Sequence, residues 1–109
     1  MVAEEHLEEL RAAFGNVSTV VEAGVDFVSF PRLVLPQGCT PREVQALLSL
    51  GQHGGYTTRL FLQHAVPGRG ANWSSHAVLG KTWWTWSWNQ VPAVLRPAEI
   101  LAEHLRGLR

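Results

Sequence analysis

Ser74 and Ser75 lie between Asn72-Trp73 and His76, and Ser74 follows His64 by ten residues. A hydroxyl beside an imidazole, with an amide close by, is the minimal kit for acyl transfer: nucleophile, base and a donor for the developing oxyanion. Ser74 or Ser75 is then the candidate nucleophile, His64 or His76 the base, and Asn72 the oxyanion donor. The same residue types also make ordinary turns, and a serine is activated only when a base comes within ~3 Å. Cys39 offers a second nucleophile, but no histidine stands near it and free cysteines are among the most often buried residues, so it is read as structural. A single cysteine also excludes an internal disulfide framework and a multi-cysteine zinc site. His6, His53, His64, His76 and His104 never fall at i, i+4 or in H-E-x-x-H spacing, so no metal is expected. Gly68 to Gly70 lacks the spacing and following lysine of a phosphate-cradling loop, and no cofactor is expected.

The aromatic residues are the other anomaly. Trp73, Trp83, Trp84, Trp86 and Trp88 could line a groove for bases or sugars, but such grooves come with interleaved basic residues, and only Lys81 borders this run. Most are expected in the core. On a continuous strand Trp84, Trp86 and Trp88 would share one face and Trp83 the other, leaving at least one partly exposed as a partner anchor.

These residues need elements to hold them. Leu7, Leu10, Ala13 and Phe14 recur at helical spacing behind early glutamates and ahead of Gly15-Asn16, which predicts a helix over 3–14. Residues 17–35 are rich in β-branched and aromatic side chains and broken at Gly24 and Pro31, which predicts two or three antiparallel strands. Thr40-Pro41-Arg42-Glu43 fits a capping box with proline at the first helical position, yet Val44, Ala46 and Leu48 alternate as in a strand. A strand over 58–66 would carry Leu60, Leu62 and His64 on one face, and residues 96–109 form an amphipathic closing helix whose rim bears His104. His53 falls in a glycine-rich turn and His6 on the first helix.

With 109 residues, 46% of them hydrophobic and 17% charged, the chain is expected to form one α+β domain over 1–109. Nine basic residues balance nine acidic ones, leaving no field to attract nucleic acid. Residues 1–26 hold six acids against Arg11 alone, while residues 27–96 hold six bases against Glu43 alone. No apolar run approaches the ~20 residues of a membrane span, and the acidic start is unlike a signal peptide, so a cytoplasmic location is expected.

Taken in order, Phe30-Pro31, Leu35-Pro36-Gln37-Gly38-Cys39-Thr40-Pro41, Val44 with Ala46-Leu47-Leu48, Gly55-Tyr56, Arg59-Leu60-Phe61, Asn72-Trp73, Leu79, Thr82-Trp83, Trp86-Ser87-Trp88 and Leu105-Arg106 resemble the prokaryotic ubiquitin-conjugating-enzyme-like (UBC-like) proteins. The resemblance covers roughly residues 14–109. It implies an N-terminal helix, a four-stranded antiparallel meander and a C-terminal helix, and it places residues 44–50 on a central strand. It further implies partners: a ubiquitin-like protein, an activating enzyme and a JAB-type metalloprotease encoded alongside. Conjugating enzymes carry a His-Pro-Asn element about ten residues before an acceptor cysteine, with a tryptophan some eight residues after it. Here His64 precedes Ser74 by ten and Trp83 follows Ser75 by eight, but neither place holds a cysteine, and Cys39 comes too early. The implied role is therefore a non-catalytic binding component. The alternatives are a serine oxyester enzyme using Ser74 or Ser75, and a generic interaction or RNA-binding module, for which the basic stripe is missing.

Overall fold

Early glutamates and apolar side chains at three- and four-residue spacing produce α1, Glu4–Phe14, in the computed structural model, which describes residues 2–109. Leu7 and Leu10 are its buried positions, and Gly15 ends it by donating its N–H to the Arg11 carbonyl. β1 (Ser18–Glu22) and β2 (Val25–Val34) pair around Ala23-Gly24, both at positive φ (52° and 77°), the type I′ geometry that matches strand twist. Pro31 has no N–H for the ladder, and the register between β2 and the next strand shifts between Phe30 and Leu33.

That next strand is β3, Glu43–Ser49, where the capping box favoured a helix. Val44, Ala46 and Leu48 join one buried cluster and Leu47 another, so the strand is packed on both sides. A cap contributes about 1 kcal/mol. Burying one leucine contributes about 1.5–3 kcal/mol, and Leu47 and Leu48 are both buried here beside Val44. β4, Arg59–Leu62, is likewise buried on both faces, and it stops before His64, which sits in an exposed bend rather than on a strand. β5 (Ser74–Val78) and β6 (Lys81–Thr85) form a second hairpin around Leu79-Gly80, again with both turn residues at positive φ (54° and 75°).

The helix-sheet-helix α+β class is as expected, but the sheet has six strands instead of four, in the order β1-β2-β3-β4-β6-β5. The first four follow chain order as a meander, and the second hairpin extends it by pairing β6 with β4 at Leu62↔Trp84. β6 also ends at Thr85, so Trp86 and Trp88 lie beyond the strand and share no strand face with Trp84.

The sheet carries a core on each face. On one, α1 and α2 (Pro97–Arg106) cover Val28, Phe30, Ala46, Leu48, Leu60 and Leu62, with Trp86 filling the same cluster. Arg96 ties the two helices together by an ion pair to Glu9 at 2.7 Å. His104, expected at the helix rim, is instead fully inside: its Nε2 lies 2.9 Å from Thr58 Oγ1, which donates to the Val91 carbonyl at 2.8 Å. The threonine's one proton is thus committed, so Nε2 must carry the imidazole proton. Desolvation pulls the His104 pKa down to about 4.

The other face has no helix, yet Phe27, Leu47, Phe61, Val78 and Trp83 are buried there. Val78 and Trp83 of the second hairpin supply part of that cluster, so the hairpin packs on this face. Glu22 of β1 clasps it there, both carboxylate oxygens accepting the Leu79 N–H at 3.1 Å.

Candidate functional site

β5 alternates its side chains, so Ser74 and His76 face the helix-free core while Ser75 points the other way. Ser74 Oγ and His76 Nε2 are 3.0 Å apart. The other expected members stay outside: Ser75, His64 and Asn72 are exposed and no hydrogen bond joins them to this pair, Asn72 being held at φ 55° in the preceding bend.

Around the pair stand residues that sequence reasoning did not select. His76 meets His53 edge-on, ring centroids 5.6 Å apart, and both rings pack edge-on against Phe61, His53 at 5.0 Å and His76 at 6.0 Å. A short turn closed by reciprocal backbone hydrogen bonds between His53 and Tyr56 presents the first imidazole. Arg59 begins β4, with its guanidinium 4.1 Å over the Tyr56 ring and 5.9 Å from the centre of Phe61. One signal could have found it. Arg59 is the sole charged residue between Glu43 and Arg69, set directly against the apolar run Leu60-Phe61-Leu62.

Burial, and then the Arg59 charge, lower the His76 pKa below 6.5. His53 is lowered by burial first, then by His76 and Arg59, against an upward pull from Glu22. Both imidazoles are therefore mainly neutral at neutral pH, and a neutral His76 with its proton on Nδ1 leaves Nε2 free to accept the Ser74 proton. Among the described residues no carboxylate is hydrogen-bonded to His76, so the arrangement is a hydroxyl–imidazole dyad flanked by a cation.

Three of the remaining candidates, Cys39, Trp83 and Trp86, are buried. Cys39 is buried and its thiol points at the Leu108 carbonyl at 3.5 Å, a bond no acceptor cysteine could keep while reacting. Trp83 and Trp86, considered as partner anchors, are enclosed in the two separate cores. Trp73, Trp84 and Trp88 are half-buried; Trp73 donates to the Arg69 carbonyl at 2.7 Å and Trp88 to the Glu103 carbonyl at 2.9 Å. Among the described residues no group of three or more metal-ligating side chains converges, and no helix is long and apolar enough to cross a membrane. Comparison of the chain with protein-family models, with curated proteins and with solved structures finds no match in any of the three.

Proposed function

We propose that this chain is a UBC-like component of a bacterial ubiquitin-like conjugation pathway that binds the ubiquitin-like protein, its activating enzyme or both, and holds them without forming a covalent intermediate. The observation that supports this reading is the element order: an N-terminal helix, then four strands paired in chain order, then a further hairpin joined to the fourth strand, and a closing helix packed on the first. The enclosed thiol of Cys39 favours binding over thioester transfer. Trp73, Trp84 and Trp88, each half-buried, supply the aromatic area a partner can cover.

A second reading is favoured by the 3.0 Å approach of Ser74 to His76. Ser74 Oγ attacks the activated carboxyl terminus of the ubiquitin-like protein, a C–O bond forms, and the C–S bond to the activating enzyme breaks. The serine proton passes to His76 Nε2 and the thiolate leaves.

Intact and native mass spectrometry of the domain with the activating enzyme, the processed ubiquitin-like protein and ATP separates the readings. A stable complex without a covalent adduct is the expected result. An adduct that resists thiols, yields to hydroxylamine and is lost in Ser74→Ala establishes the oxyester instead. Neither complex nor adduct overturns both.

A further inference from the structure

Arg59 is only 6% exposed, and among the described residues it meets no carboxylate and donates no hydrogen bond. Its Nε is enclosed without an acceptor, and so is Nδ1 of the neighbouring His53. Withdrawing a cation from water is costly. Contact with the Tyr56 and Phe61 rings offsets part of that cost but supplies no counter-charge. Glu22, the one acid that acts on His53 among the described residues, is already committed to the Leu79 N–H. A positive group is thus held in place with its counter-charge missing, beside two imidazoles and a hydroxyl.

We propose that Arg59, His53, His76 and Ser74 form a binding site for a tetrahedral oxyanion, a phosphoryl group. Four side chains from three elements, the 53–56 turn, β4 and β5, approach one place from different directions. The three outward oxygens of a phosphoryl group can use donors spread in this way, whereas a planar carboxylate is served by a single fork. The serine hydroxyl, now shared with His76, and the outer guanidinium nitrogens are the donors nearest the surface. The site is independent of the conjugation reading and survives its failure.

Anion binding and proton uptake reinforce each other here. The groups facing the two imidazoles are Arg59 from β4, Tyr56 from the turn, Glu22 from β1 and each imidazole on the other. An arriving dianion offsets Arg59 and makes the protonated histidines better donors, so binding tightens as pH falls.

Imidazole proton resonances of the intact chain, followed by NMR at constant ionic strength, test this. Inorganic phosphate identifies the ligand class, sulfate keeps its charge across the pH range, acetate is the planar control, and a nucleoside 5′-monophosphate shows whether the ligand extends beyond the phosphoryl group. Sulfate and phosphate are expected to shift His53 and His76 saturably, with dissociation constants on the order of 1–10 mM, and to leave exposed His64 unmoved. Sulfate should bind roughly threefold or more tightly at about pH 5.5 than at about pH 7.5. Arg59→Gln should weaken binding by about tenfold or more and Ser74→Ala severalfold. No saturable shift in the unmodified chain, an equal response to acetate, or affinity unchanged in a folded Arg59→Gln chain would overturn the site. If Arg59→Gln does not fold, the unmodified chain and Ser74→Ala decide.

Discussion

Replacing His104 with glutamine should flatten the acid side of this protein's stability profile. The folded imidazole has a pKa of about 4, while the same group on the unfolded chain titrates near 6.5. Above pH 6.5 neither state holds the extra proton and the site imposes no penalty. As pH falls below 6.5 the unfolded chain takes up a proton that the folded one refuses, and stability declines until about pH 4, where the loss levels off. The gap between 6.5 and about 4, at about 1.4 kcal/mol per pKa unit, gives a total of about 3–4 kcal/mol, a large share of the 5–15 kcal/mol typical of a domain. Glutamine can still donate to Thr58 Oγ1, as the imidazole Nε2–H does across 2.9 Å, so it removes the titration while preserving the bond. Urea unfolding followed by tryptophan fluorescence, at about pH 7.5 and about pH 4.5, measures the effect. The unmodified chain should lose about 2–3 kcal/mol more than His104→Gln between the two, and carboxylate titration common to both cancels. Equal losses would refute the argument that burial keeps His104 neutral.

Glu22→Ala should lower stability by about 1–3 kcal/mol in the same assay, because it removes a charged acceptor from the Leu79 N–H of a half-buried turn. Glu22→Gln should recover part of this and lower the His53 pKa further, read by NMR titration, since the carboxylate pulls that value upward. Gly38→Ala should cost about 1–3 kcal/mol, as a methyl group there runs into the Arg69 guanidinium and φ is +95°. Gly24→Ala, at φ +77° with open space around it, should cost only about 1 kcal/mol.

Both helices were legible because their apolar spacing and their ends agree: Gly15 stops α1, and Pro97 opens α2. The strand nature of residues 43–49 was not legible from local rules, since the capping signal at Thr40 to Glu43 and the alternation of Val44, Ala46 and Leu48 point opposite ways. Only burial on two faces decides between them. The hairpin of β5 and β6 escaped for a related reason. Its turn is Leu79-Gly80, and leucine at φ 54° is a poor advertisement for a type I′ turn that usually announces itself with asparagine or aspartate. At the site, the sequence pointed to Ser74 and His76 because a hydroxyl stands close to an imidazole there, and the alternation of β5 puts both on one face. His53 and Arg59 come from a turn and a strand 21 and 15 residues before Ser74, and only the pairing of β6 with both β4 and β5 brings them in.

The Glu22–Leu79 clasp joins positions 57 apart in the chain, whereas neighbouring strands β1 to β4 pair through short connections. The second hairpin closes the sheet at one edge, held by the Leu62↔Trp84 pairing, the Thr85 Oγ1 bond to the Leu60 carbonyl, the packing of Val78 and Trp83, and the clasp. Trp86, next after it in the chain, anchors it to the helix-covered core as well. β5 nevertheless has a paired neighbour on one side only, whereas β3 has one on both, so amide protons of β5 should exchange with solvent sooner than those of β3. Ser74 and His76 stand on that edge strand and share its lower local stability.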